Sequence, residues 1–142
     1  MTTQPSTVQL FVTCLIETLR PEAGMVVVSV LERLGLQVEY PEGQTCCGQP
    51  AFNAGAWDDA RAMARHTLDV LCGDFAPGGD VPVERLCGVA PIVVPSGSCM
   101  DMIVHHCPEL LAGDPAYGLK AQGYRILLQI ERLCWPIRSI VR

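Results

Sequence analysis

The first forty residues constrain the fold most, because they read as a strand, a helix and a second strand in succession. Residues 8–13 (VQLFVT) are rich in β-branched and aromatic side chains and have the length of a buried strand. After Pro21, apolar residues recur at positions 25, 28, 31 and 34, which predicts a helix. Residues 36–40 (LQVEY) alternate apolar and polar side chains and predict a second strand. Such a βαβ unit requires its two strands to be parallel.

The remaining chain continues the same alternation. Residues 41–53 are dense in Gly, Pro and polar side chains and predict a loop, and residues 58–72 have the apolar spacing of a helix. Residues 90–94 (APIVV) predict a third buried strand, followed by a helix beginning near Met100. We therefore predict a single α/β domain of the βαβ type, with a parallel sheet flanked by helices in a Rossmann-like, three-layer arrangement. A length of 142 residues suits one such domain.

Composition excludes several classes of function. Ten basic against fifteen acidic side chains give a net charge of −5, which speaks against nucleic acid as a partner. The longest apolar run, at residues 25–31, is far shorter than the roughly 20 residues that a transmembrane segment requires. The first residues lack the basic segment of a signal peptide, so we expect a cytoplasmic protein.

Four of the eight cysteines follow predicted strands. Cys14 comes directly after the first strand, Cys46 and Cys47 lie in the loop after the second, and Cys99 lies just beyond the third. Because ligands gather outside the carboxyl ends of parallel strands, we expect these four sulfurs to converge at one edge of the sheet. In a reducing cytosol, such cysteines more often bind metal or do redox chemistry than form disulfides.

Thiolates are soft ligands that select iron–sulfur clusters, zinc or copper(I), and about four of them complete such a site. Gly48 would let the backbone turn tightly beside the metal and point amide groups at sulfur. The residues leave three functions open: an iron–sulfur electron-transfer subunit, a zinc-binding structural or assembly module without redox activity, and a dithiol switch through Cys46 and Cys47. The switch ranks last because adjacent cysteines form a strained disulfide.

The spacing of a cysteine, about thirty residues and then Cys-Cys-Gly resembles the cysteine-rich, or CCG, domain. The stretches FVTCLIETLRPEAG, LERLGLQVEYPEGQTCCGQPAFNAG and VVPSGSCM look like the CCG domain of iron–sulfur subunits of bacterial L-lactate oxidation, over roughly residues 8–121. Related domains occur in the glycolate oxidase iron–sulfur subunit and in heterodisulfide reductase. The resemblance implies an iron–sulfur cluster of the [4Fe–4S] type and partner subunits of a lactate or 2-hydroxy acid oxidation complex. It also implies a subunit of an oxidoreductase of the L-lactate dehydrogenase type rather than a complete enzyme.

The sequence departs from the family pattern in two places. Ser96 stands where the family has the first cysteine of a Cys-x-x-Cys motif, so at most four protein thiolates are available; we interpret Ser96 as a helix cap rather than a ligand. The family usually carries two such domains, and we expect residues 1–121 to be the first of the pair. We expect residues 122–142 to be a truncated or divergent tail whose apolar residues favour a homo-oligomer; these are Ile126, Leu127, Ile130 and Leu133.

The other candidate ligands have simpler interpretations. Cysteine is among the most buried residue types, so we expect four cysteines to be core or incidental residues: Cys72, Cys87, Cys107 and Cys134. His66 lies inside the second predicted helix, and His105 and His106 lie near a helix end, where the helix dipole favours them. No Gly-x-Gly-x-x-Gly fingerprint is present, which argues against a complete dehydrogenase.

Overall fold

Three short parallel strands form the centre of the molecule. The computed structural model describes residues 7–72, 90–118 and 121. Strand β1 lies in the middle and pairs with β2 on one side and β3 on the other, so the order in the sheet is β2-β1-β3. The strands are β1 (Thr7–Leu10), β2 (Gln37–Glu39) and β3 (Ile92–Val93). The predicted α/β fold, a parallel sheet flanked by helices, is confirmed.

Helices occupy most of the described chain between the strands. The two long ones, α2 and α4, are those that the sequence periodicity predicts. A π-helix separates α5 from α6. The helices are α1 (Cys14–Leu19), α2 (Pro21–Arg33), α3 (Gln49–Asn53), α4 (Trp57–Cys72), α5 (Gly97–Asp101), the π-helix (Met102–His106) and α6 (Cys107–Leu110).

The first predicted strand is too long. Strand β1 ends at Leu10, and Cys14 is the first residue of α1 rather than the tip of the strand. The physical reason is the buried residue Thr13, whose Oγ1 accepts a hydrogen bond from the Ile16 amide at 3.4 Å and so caps a helix. Cys14 is therefore held by the start of a helix that the sequence pattern did not predict.

Two further boundaries differ from the prediction. The segment 41–53 is not all loop, because Pro50 occupies the first turn of α3, where its missing N–H costs nothing. The helix expected near Met100 already begins at Gly97, so Cys99 lies inside α5 and not before it. Both corrections place candidate thiols at or within short helices.

The main core packs Phe11, just after β1, and Ile92 of β3 against α4, the π-helix and the turn that follows α6. It is made of large apolar side chains and also contains buried thiols, so part of the candidate site belongs to the rigid interior. Its fully buried large members include Phe11, Leu68, Ile92, Met102, Ile103 and Leu111.

The tail predicted at residues 122–142 lies outside the described residues, as do Cys87 and Cys134. Within the described part, no helix is long and apolar enough to cross a bilayer.

Candidate metal centre

The thiols of Cys14, Cys46, Cys47 and Cys99 lie together in two contacting pairs; we call them the thiol cluster. The Cys14 thiol donates to the Cys46 sulfur, with 3.6 Å between the two Sγ atoms. The Cys47 thiol lies close enough to the Cys99 side chain for the two to interact. Cys14 also interacts electrostatically with Cys99, and Cys47 with Cys46, so the two pairs adjoin. The structure thus brings together the four cysteines that the sequence singles out.

One side of the thiol cluster is buried and the other faces outward. Cys47 and Cys99 are 2% and 7% exposed, whereas Cys14 and Cys46 are half-buried. Burial raises the pKa of Cys47 well above its usual range, and burial followed by the neighbouring sulfurs raises the pKa of Cys14. Both groups are therefore neutral thiols at pH 7, and a bound cation would be needed to stabilise the thiolates.

Backbone amides point at two of the sulfurs. The Leu15 amide lowers the pKa of Cys14 and the Gln49 amide lowers that of Cys47, although in each case burial is the stronger effect. Amide donors of this kind stabilise anionic sulfur, and hydrogen bonds to sulfur tune metal–thiolate sites. Both amides belong to helices that begin beside the cysteines, α1 and α3.

Gly48 makes the turn that separates the cysteine pair from α3. Its φ is +90°, a left-handed conformation that side-chain-bearing residues rarely adopt. A Cβ atom built on Gly48 would lie 3.2 Å from Met63 Cβ on α4, closer than ordinary contact. The third residue of the Cys-Cys-Gly triplet thus allows both the turn and the close packing of the loop on α4.

Gln44 connects the cysteine loop to the end of β1, a role that was not predicted from the sequence. Its Oε1 accepts from the Val12 amide at 2.9 Å, and its Nε2 donates to the Leu10 carbonyl at 2.7 Å. The side chain therefore provides hydrogen-bond partners for two backbone groups just beyond the paired part of β1. A polar residue two positions before a cysteine pair was the available signal, but glutamine is common in loops and its target could not be read from the chain.

The histidines contact other groups. His66 Nε2 is 2.8 Å from the Gly43 carbonyl, so α4 holds the start of the cysteine loop. His106 stacks on Phe52 with 4.4 Å between ring centroids, and its Nε2 lies 3.3 Å from a carboxylate oxygen of Asp101. His105 Nε2 lies 3.9 Å from the other Asp101 oxygen.

Cys107 and Cys72 were predicted to be core or incidental residues, and Ser96 a helix cap. Cys107 is fully buried in the core, as expected. Cys72 packs against the core, as expected, and is also disulfide-bonded, which was not predicted. Ser96 occupies the N-cap position of α5 but makes no side-chain cap hydrogen bond; its Oγ lies 3.2 Å from Ser98 Oγ.

The donor set is that of a site for a thiophilic metal. Two thiolates on one tetrahedral zinc ion lie about 3.8 Å apart, given Zn–S bonds of about 2.3 Å, and the Cys14–Cys46 separation of 3.6 Å is close to that value. Among the described residues, however, no three His, Cys, Asp or Glu side chains surround one point as a single ion would need. Four converging thiols match the ligand number of a tetrahedral zinc site and of an iron–sulfur cluster alike.

Comparison with known sequences places the four cysteines of the thiol cluster in one domain family. A sequence model of the cysteine-rich domain family, CCG, matches residues 8–104, which include all four thiols of the cluster. This chain belongs to the CCG cysteine-rich domain family. No solved structure matches it significantly.

Curated relatives of this CCG domain share a name. The chain is 40% identical over 117 residues to lactate utilization protein A of Bacillus pumilus, a match covering 82% of this chain and 42% of that protein. It is 40% identical over 116 residues to lactate utilization protein A of Shouchella clausii, covering 81% and 41%. Lactate utilization protein A 2 of Bacillus cereus is 37% identical over 114 residues, covering 80% and 41%. The matched part of this CCG domain thus spans under half the length of these relatives.

Proposed function

We propose that this CCG domain binds an iron–sulfur cluster, of the [4Fe–4S] type, on Cys14, Cys46, Cys47 and Cys99. The observation that carries the proposal is the convergence of these four thiols at one edge of the sheet. When bound, such a group supplies one-electron redox chemistry. The protein contributes amides that face sulfur and a buried wall that limits access of water to two of the four ligands.

We further propose that the domain carries electrons in the oxidation of L-lactate or a related 2-hydroxy acid. The support is the name of the relatives, lactate utilization protein A, together with a donor set suited to a redox-active metal. Because the sequence lacks a dinucleotide fingerprint, hydride removal is assigned to partner subunits. Residues 1–121 form the functional unit in this proposal.

The proposed compartment is the cytoplasm. Five described cysteines are free thiols, which suits a reducing environment. The disulfide at Cys72 is unusual for such a compartment and is the observation against it.

The first experiment asks whether the bound group is redox-active. Protein purified anaerobically from iron-replete cells should show broad visible absorbance that dithionite bleaches. Zinc in a colourless sample would instead support the alternative function, a structural or assembly module, which the 3.6 Å separation of Cys14 and Cys46 also accommodates.

The second experiment addresses the substrate. A strain that lacks lactate utilization protein A should regain growth on L-lactate when the full-length relative carries this domain in place of its own matching region. The same chimera with Cys47→Ser should not restore growth. Restored growth with the serine variant would contradict the proposed role of the thiol cluster.

A further inference from the structure

The outer side of α2 carries an apolar surface that nothing in the described chain covers. Met25 is 66% exposed, Val26 61% and Val30 47%, although the opposite side of the same helix buries Gly24 and Leu31. Neighbouring exposed apolar side chains of this size mark interaction surfaces more often than chance. We call the exposed face the α2 stripe; it consists of Glu22, Met25, Val26, Ser29, Val30 and Arg33.

The stripe is continuous because its members are three or four residues apart. Residues with that spacing lie above one another on one face of an α-helix. The apolar residues form the middle of the stripe, whereas Glu22 lies in the first turn of α2 and Arg33 in the last. The surface therefore has an apolar centre and opposite charges at its two ends.

This arrangement is complementary to itself. If a second α2 packs antiparallel about a two-fold axis between residues 27 and 28, Glu22 faces Arg33 of the second copy. The same axis places Met25 opposite Val30 and Val26 opposite Ser29. A two-fold interface requires this property, since one patch must match its own rotated image. A parallel pairing would instead bring like charges together at both ends.

We propose that the α2 stripe binds a second copy of this chain and forms a two-fold, antiparallel α2–α2 dimer. Each dimer contains two Glu22–Arg33 pairs around the apolar centre. Glu22 already forms an exposed ion pair with Arg20 at 3.5 Å, but both side chains are largely in solvent and such pairs contribute little. The proposal does not depend on the metal chemistry of the thiol cluster.

The dimer would lie one helix away from the thiol cluster. Helix α1, which begins at Cys14, packs on α2 where a Cβ at Gly24 would be 3.4 Å from Ile16 Cγ2. Gly24 thus lets α1 approach the inner side of α2 while the outer side stays available. The stripe residues make no part of the proposed ligand set, so substitutions there should leave metal content unchanged.

The test is sedimentation velocity on the full chain over a range from micromolar to near-millimolar concentration. We expect a monomer–dimer equilibrium that reaches twice the 15.4 kDa of one chain. Glu22→Arg and Arg33→Glu should each raise the dissociation constant roughly tenfold, because each turns two attractive contacts into repulsive ones. The double variant E22R/R33E should restore dimerisation, since the pairs are re-formed with their charges exchanged.

A matched control separates the stripe from general charge effects. Glu39→Arg makes the same charge change on exposed β2 and should leave the equilibrium unchanged. Val26→Lys should abolish the dimer while circular dichroism shows an unchanged fold. A monodisperse monomer at every concentration would overturn the proposal. So would a dimer that V26K leaves intact, or one that E22R/R33E fails to restore.

Discussion

At Gly48 both the backbone conformation and the available space exclude a larger side chain. We predict that Gly48→Ala lowers the free energy of unfolding by about 1–2 kcal/mol, the cost of a left-handed conformation with a Cβ, with a further loss because Met63 lies 3.2 Å from the new atom. Because the residue follows Cys47 directly, iron content should fall as well. Chemical denaturation and iron analysis measure the two effects.

Two other glycines act as controls for that substitution. Gly35 has a φ of +81° but no atom within 4 Å of a new Cβ, so Gly35→Ala reports the backbone strain alone. Gly113 has neither feature, and Gly113→Ala should leave the free energy of unfolding nearly unchanged. Equal losses at Gly48 and Gly35 would show that the contact with Met63 contributes nothing.

The buried thiol of Cys107 predicts how stability depends on pH in metal-free, reduced protein. Burial raises the pKa of Cys107 from the usual 9.0 to about 12. Below pH 9 the thiol is protonated in both the folded and the unfolded chain. Between pH 9 and pH 12, only the unfolded chain loses this proton. The stabilisation from a neutral, buried thiol is therefore lost as the pH rises.

The measurement compares the wild type with Cys107→Ala by urea denaturation from pH 7.5 to 10.5. The variant should be less stable at pH 7.5 because of its cavity, and the gap should narrow by about 1.4 kcal/mol per pH unit above pH 9. Lysine and tyrosine titration affects both proteins alike and cancels in the difference. Parallel stability curves would show that burial does not shift the titration of this thiol.

At the scale of elements, Gln44 connects the cysteine loop to β1. We predict that Gln44→Ala destabilises the protein by about 1–3 kcal/mol, because the Val12 amide and Leu10 carbonyl lose their partner. Loss of metal to a chelator should also accelerate, since the loop carrying Cys46 and Cys47 is released. The exposed Gln37 of β2 provides the control, and Gln37→Ala should change neither quantity. Equal chelation rates for both variants would exclude a positioning role for Gln44.

How well an element could be predicted depended on its length. Helices α2 and α4 span 13 and 16 residues, long enough for the apolar period to appear in the sequence. Helices α1 and α3 span 6 and 5 residues, which is too short for a period. They depend on local features instead: the Thr13 cap for α1 and the Pro50 ring for α3. The π-helix at Met102–His106 spans 5 residues, also too few for a period, so the sequence pattern did not predict it.

At the scale of the whole molecule, parallel topology was enough to group the cysteines but not to pair them. Segments that follow parallel strands meet at one edge of the sheet, which predicts that Cys14, Cys47 and Cys99 are neighbours. The structure places Cys14 against Cys46 and Cys47 near Cys99, a division that the spacing of the cysteines does not predict. The convergence of the four thiols supports the proposed metal centre.

The most direct test of that account is the iron and acid-labile sulfide content of anaerobically purified protein. For a [4Fe–4S] group we predict about four iron and four sulfide per chain in the wild type. Cys99→Ser should lose most of both, whereas Cys107→Ala, which removes a buried cysteine outside the thiol cluster, should keep them. Zinc without sulfide in the wild type, or full iron content in Cys99→Ser, would contradict the assignment of an iron–sulfur cluster to these four thiols.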